Sequence, residues 1–397
     1  MLNLDFVRQH FPTLDQGWTL FDNAGGSVPP RGLIDAVTEF MTRWPVQLGA
    51  SYALSEEATQ RVAAAHDAMA AWIGAEPGTV ILGPSTTRNM KMLAQALLPG
   101  FNPGDEIIIT NLDHEANVGP WWRLSDHGLT VKEWRLRPET CRLELEDLDA
   151  LLSERTRLVA FTHCANVVGA IHDVATITDR IHQAGALACV DGVAYAPHRP
   201  VDVSAWDVDF YSISLYKTFG PHLALLYGKK SHLQNARGQS HYFIGEDQVP
   251  YKFEPGNVSH ELAAALPQIP AYFDALAAHH EGADLHPLLA EHEERLAARL
   301  LDFLTSRSNV RVLGPTTGDR HARVPTIAFA VDGRPSSEIP PLVDPHRIAI
   351  RWGDFYAPRA MQALGLDRQD GIVRVSMVHY NTLDEVDRLI GVLDGIL

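Results

Sequence analysis

Between about residues 60 and 230 the chain alternates short, unbroken apolar runs with helical patterns, and this alternation calls for a mostly parallel sheet. The runs begin with Thr79-Val80-Ile81-Leu82 and Glu106-Ile107-Ile108-Ile109-Thr110. They continue at 130–136, 157–162, 186–190 and 209–214. Strands without polar alternation are buried on both faces, and the intervening helices supply the cover. The run 222–228 follows 209–214 too closely for a crossover helix, so it is expected to be antiparallel.

Helical faces are also readable. In 55–74, Val62, Ala65, Met69, Trp72 and Ile73 share one stripe, with Ser55 as the expected N-cap. A second helix is expected over 288–306, with Leu289, Leu296, Leu300 and Phe303 inward. The last should start at Thr382, where Thr382 and Glu385 form a capping box. After residue 260 long helices dominate, with strands expected at 326–331, 348–352 and 372–377. The fold class is therefore α/β: a large domain over 18–262, and a smaller α+β domain over 263–397 on which residues 1–17 pack.

Composition narrows the function classes. The 33 Lys and Arg face 49 Asp and Glu, a net charge of −16, which disfavours a nucleic-acid partner because phosphate backbones require basic surfaces. No apolar run approaches the ~20 residues that span a bilayer, so no membrane partner is expected. The start lacks a basic, then apolar, leader. Three cysteines (Cys141, Cys164 and Cys189) and scattered histidines give neither a disulfide framework nor metal-ligand spacing. A cytoplasmic location and no metal are expected.

Four signals fall in loops that follow strands, where open α/β sheets bind ligands. Ser85-Thr86-Thr87 offers hydroxyls and free N–H groups to an anion at a helix start, although the same residues are a common N-cap. In Asp113-His114-Glu115-Ala116-Asn117 the histidine is placed to stack on a planar ring, although most such loop histidines are merely solvated. Asp191 ends a buried strand, where a carboxylate needs a cation; capping a neighbouring helix is its ordinary alternative. Lys217 lies in Ser214-Leu215-Tyr216-Lys217-Thr218-Phe219-Gly220. Apolar surroundings depress a lysine's pKa and make it nucleophilic, while a surface-seeking lysine would read the same way. Together, in this order, the four are an anion cradle, a ring stacker, a pyridinium partner and a Schiff-base lysine, the set pyridoxal 5'-phosphate requires.

With these residues the chain resembles the class V aminotransferase family of fold-type I pyridoxal-phosphate enzymes, in its cysteine-desulfurase-like branch. Leu20-Phe21-Asp22-Asn23-Ala24 is similar to the family's Leu-Asp-Asn-Ala motif. Residues 113–121 are similar to its Glu-His-His-Ala-Asn stretch, and Arg374-Val375-Ser376 with Tyr380-Asn381-Thr382 to its Arg-x-Ser…Tyr-Asn-Thr segment. The resemblance implies a homodimer acting on an amino acid. It implies His114 stacked on the cofactor, Asn166 at the phenolic oxygen, Asp191 at the ring nitrogen and Lys217 on the aldehyde. It implies Thr86, Thr87 and Ser214 around the phosphate and Arg374 on the substrate α-carboxylate.

The departures are as informative. By register from Arg351 and Gly353, Tyr356 stands where desulfurases carry the mobile-loop cysteine that becomes a persulfide, and no cysteine follows residue 189. Tyr216 replaces the histidine before the lysine. Ala194 replaces a glutamine after the aspartate. Asn257 stands where a threonine reaches the neighbouring subunit's phosphate. Trp352, Phe355, Tyr356 and Tyr216 would make an aromatic substrate pocket, with Arg351 at its edge; they could equally be core. The expected activity is α-proton removal with Lys217 as base, followed by a lyase-type β-elimination without a persulfide. Transamination and epimerisation are the alternatives. A non-catalytic binding protein on the same fold is disfavoured by retention of Lys217, Asp191, His114 and Arg374. A nicotinamide dehydrogenase is disfavoured because no Gly-x-Gly-x-x-Gly follows an early strand.

Overall fold

The computed structural model describes residues 1–282 and 284–397. Its strands are β1 (Thr19–Leu20), β2 (Val80–Gly83), β3 (Glu106–Thr110), β4 (Thr130–Trp134), β5 (Thr156–Thr162), β6 (Leu187–Asp191), β7 (Phe210–Ser214), β8 (Ala224–Gly228), β9 (Val310–Leu313), β10 (Thr326–Val331), β11 (Ile348–Ala349), β12 (Arg351–Gly353) and β13 (Ile372–Ser376). One sheet runs in the order β2-β8-β7-β6-β5-β3-β4. β8 is antiparallel to both of its neighbours and every other pair is parallel. This is the α/β architecture expected from the apolar runs. All residues of β2, β3, β7 and β8 are buried. Each Val, Leu or Ile buried this way contributes about 1.5–3 kcal/mol.

Register decides what the sheet presents at its carboxyl edge. Thr162, Asp191 and Ser212 lie side by side across β5, β6 and β7. Gly83, Ala224 and Ser214 form another row across β2, β8 and β7. The chain leaving β2 therefore emerges beside the end of β7.

The second sheet is antiparallel, in the order β12-β13-β10-β9. Helices Leu285–Thr305 and Leu383–Asp394 supply Leu296, Leu300 and Leu389 to a core shared with Phe329 and Val373. β1 pairs in parallel with β11. The division near residue 262 remains our proposal. The segment before β1 touches both sides of it, because Val7 and Phe11 cluster with Phe219 as well as with Tyr272, Leu276 and Tyr380.

Three expectations needed correction. The run 348–352 is not one strand: β11 bonds to β1 and β12 to β13, so the chain changes sheets at Ile350. Ser55 is not an N-cap. The helix runs Ala53–Trp72, and the Ser55 hydroxyl donates to the Gln47 carbonyl (2.7 Å) and accepts the Ala50 N–H (2.9 Å), bracing the preceding loop. The helix expected from residue 288 already starts at Leu285. The Thr382–Glu385 capping box is present. Among the described residues no helix is long and apolar enough to cross a membrane.

The turn after β6 depends on a missing side chain. A Cβ on Gly192 would lie 2.0 Å from the Tyr211 ring, which is fully buried with its hydroxyl bonded to His163 Nδ1 at 2.9 Å. Overpacking of this kind costs about 1–3 kcal/mol, so Gly192→Ala should lower the thermal unfolding midpoint, as followed by circular dichroism.

Candidate active site

The carboxyl ends of β2, β5, β6 and β7, with the loop after β3, enclose one cleft. It is lined by Ser85, Thr86, Thr87, His114, Asn166, Asp191, Ser214, Tyr216 and Lys217, together with Ala116, Thr162, Cys164, Val193 and Ala194. At one end helix Thr86–Leu97 begins. Ser85 caps it by accepting the Arg88 N–H, which leaves the first-turn N–H groups of Thr86 and Thr87 without helical partners. The hydroxyls of Thr86 and Ser214 lie 2.8 Å apart, a consequence of the Gly83–Ala224–Ser214 row. The Tyr216 ring stacks on His222 (centroids 4.8 Å, interplanar angle 5°).

Electrostatics divide the lining residues by role. Asp191 ends β6 and is buried. Burial raises its carboxyl above the usual range, while the Val193 N–H (2.9 Å) and the Lys217 charge pull it back. Lys217 sits in the turn after β7. Burial and then the nearby Arg374 charge bring its pKa down to about 8, with Asp191 opposing. His114 is lowered to about 3 by burial, Lys217 and Arg374. Its Nδ1 accepts the Ala116 N–H at 3.0 Å, so the ring is neutral and fixed in one tautomer. Cys164 is in the wall but buried, its thiol pushed up to about 12.

A second cleft adjoins the first through His114, Asn166, Tyr216 and Lys217, and adds Ala24, Gly25, Arg351–Tyr356 and Arg374. Arg374 lies opposite Arg351 in the β12–β13 register. Asp22 stands between them, 3.4 Å from the Arg374 guanidinium and 3.2 Å from Arg351 Nε. Arg374 also donates to the Asn166 carbonyl at 3.0 Å. Its Nε and the Asn166 Oδ1 are buried without partners among the described residues. Such atoms are expensive unless a ligand meets them.

Comparison with known proteins now bears on this geometry. The aminotransferase class-V family matches residues 19–389. An aminotransferase-like protein of Gibberella zeae is 39% identical over 404 residues, spanning 100% of this chain and 98% of that protein. A cysteine desulfurase-like protein of Aspergillus flavus is 36% identical over 408 residues, covering 100% and 91%. The apo structure of a cysteine desulfurase from Thermococcus onnurineus superposes with a TM-score of 0.90 at 25% identity, over 100% of this chain and 98% of that one. The chain belongs to the class V aminotransferase family. Its fold is the fold-type I architecture, and its cofactor is pyridoxal 5'-phosphate, as in other class V enzymes.

The lining residues fit that cofactor. The unpaired N–H groups and hydroxyls at Thr86, Thr87 and Ser214 suit a phosphate. The Asp191 carboxylate suits a protonated ring nitrogen, the neutral His114 ring offers a flat face, and Lys217 becomes a nucleophilic amine above about pH 8, well below the ordinary lysine range. Asn166 fits less simply. Its Nδ2 donates to the Phe355 carbonyl at 2.9 Å, so the amide as placed shows the cleft an acceptor rather than a donor. Asn257 lies elsewhere, in a groove with Arg88, Glu254 and Leu262. Three contributors went unassigned in the sequence. Asp22 sat in a quoted motif with no role, Glu115 stood beside the ring stacker, and Arg359 carried no local signal.

Below pH 8 Lys217 is an ammonium, and above it a free amine. The rate at which the apoprotein takes up pyridoxal phosphate covalently should therefore rise with pH and level off above about 8. Absorbance near ~420 nm, characteristic of the imine chemistry of these enzymes, reports the uptake. Lys217→Ala should abolish the band while leaving the far-ultraviolet spectrum intact.

Proposed function

We propose that this class V enzyme binds an amino acid through Arg374, removes its α-proton with Lys217 and completes a lyase-type β-elimination without a protein persulfide. The supporting observation is the convergence of Lys217, Asp191, His114 and the Thr86–Ser214 cradle in one cleft that opens onto a guanidinium with an unpaired N–H. Bound pyridoxal phosphate supplies an aldehyde for an amine and a ring that accepts electrons.

The chain's own groups do the rest. Asp191 would hold a proton at the ring nitrogen. His114 would offer its ring as a flat face to the cofactor and, being neutral, would add no opposing charge. Arg374, fixed by Asp22 and the Asn166 carbonyl, presents Nε to the substrate carboxylate. With a pKa of about 8, Lys217 is matched to proton transfer near neutral pH. Trp352, Phe355 and Tyr356 stand at the mouth, with Arg351 beside them. Cys141, Cys164 and Cys189 are buried thiols, and burial raises each above the usual thiol range. None is suited to attack substrate sulfur, which requires a thiolate. Transamination is the second reading, favoured by the 39% identity to the aminotransferase-like protein.

Amino acids should be screened with pyruvate, ammonia and sulfide assays, with L-cysteine included. We expect a β-substituted amino acid to yield pyruvate and ammonia with no sulfur added to the protein in intact mass. A Cys164 persulfide formed at the turnover rate and lost in Cys164→Ser would overturn the elimination reading. Stoichiometric formation of the substrate's own keto acid would shift it to transamination.

The active unit in this proposal is a homodimer, the commonest closed assembly. The Asn257 loop, lying outside its own cleft, is free to serve the second copy. Sedimentation at assay concentration should give twice the monomer mass. A fully active monomer would remove Asn257 from the site.

A further inference from the structure

We propose that Glu115 and Arg359 are positioning residues: their ion pair latches residues 353–356 down as the roof of the cleft and so fixes the plane of the Arg374 guanidinium. The roof joins β12 to helix Pro358–Leu364. Phe355 and Tyr356 are consecutive non-glycine residues with φ of 52° and 58°. That left-handed conformation is sparsely populated for such residues and persists only where the surroundings over-determine it. The surroundings here are specific. Asn166 Nδ2 donates to the Phe355 carbonyl at 2.9 Å, and the Glu115 N–H donates to the Tyr356 carbonyl at 2.7 Å. The Tyr356 N–H in turn donates to Asp354 Oδ1 at 2.9 Å. At the near end, Gly371 has φ +78°, and a Cβ there would lie 2.2 Å from the Gly353 carbonyl oxygen.

Beyond the roof, Arg359 Nε lies 3.0 Å from Glu115 Oε1, its NH1 is 3.5 Å from Glu133 Oε2, and its guanidinium sits over the Trp122 ring at 4.7 Å. Glu115 therefore holds the roof directly, through its N–H at Tyr356, and the helix that follows the roof, through its carboxylate at Arg359. Its chain neighbour His114 forms the cleft wall, so the latch ties roof to wall. The Phe355 ring covers the Arg374 guanidinium at 3.8 Å, so the height of the roof sets the orientation of the carboxylate clamp. The link to substrate rests on the proposed function; the latch itself does not.

Hydrogen exchange of the holoenzyme over 351–358 tests the latch, using E115R, R359E and the double variant. Each single change should speed exchange there by about fivefold, the upper end for a partly exposed pair, with exchange in helix Leu285–Thr305 unchanged. The half-saturating amino-acid concentration should rise more than kcat falls. The double variant should recover part of the protection, the remainder being repulsion between the new glutamate and Glu133. Unchanged exchange in the single variants, or simple additivity in the double, would overturn the latch. If no amino acid perturbs the wild-type visible spectrum, the proposed function fails, and the exchange result still decides the latch.

Discussion

A carboxylate held at the carboxyl edge of a buried sheet is the constraint on which this molecule is built. Asp191 ends a strand whose interior residues are entirely apolar, and a lone charge there would be too costly to keep. It persists because the sheet delivers compensation by register. β6 turns so that the Val193 N–H folds back to it, and β7 lies alongside and carries Lys217 just past its end. The same low-dielectric setting pushes the two groups in opposite directions, the acid up and the amine down. A protonatable ring nitrogen satisfies the first and an aldehyde the second, so one molecule relieves both.

The arginine pair at the other end has its own balance. Arg351 and Arg374 are direct cross-strand neighbours, and like charges so placed repel. Asp22 lies between them because the segment after β1 bridges in parallel to Ser376 on β13. The N-terminal strand, only two residues long, thus does more for the site than for the fold. It places one negative charge between two positive ones and leaves Arg374 Nε free. In the proposed function, a substrate carboxylate would then meet a guanidinium that is already oriented.

Much of this was legible because each step rests on a local signal. Glu106–Thr110 reads as a strand from its own apolar run, and β8 reads as antiparallel from the short connection before it. Thr382 and Glu385 announce their capping box by spacing alone. What escaped was decided by partners far away in sequence. β9 is partly exposed and shows no apolar run. The division of 348–352 into two strands depends on β1, more than three hundred residues earlier. Ser55 resembles a cap until the carbonyl of Gln47 is seen to claim its hydroxyl. At the site, Lys217, Asp191 and His114 lie close to strand ends and could be placed by sequence. Arg359 meets Glu115 only through folding, and nothing near residue 359 points to it.

In the proposed function, the roof is what would separate this chain from a desulfurase in physical terms. A persulfide-forming loop must approach the substrate sulfur and then withdraw to present it, so it needs a thiol and freedom to move. Here the corresponding position is Tyr356, 72% exposed, with its backbone held in a left-handed turn. Carbonyl acceptors at Phe355 and Tyr356 tie that turn to Asn166 and Glu115. Releasing such a turn would relax its strain but would free Phe355 from Arg374 and disturb the carboxylate clamp. In the proposed latch, closure and substrate binding would thus be coupled through one aromatic ring. On this reading the roof excludes water and aligns the substrate, and proton movement is left to Lys217 beneath it.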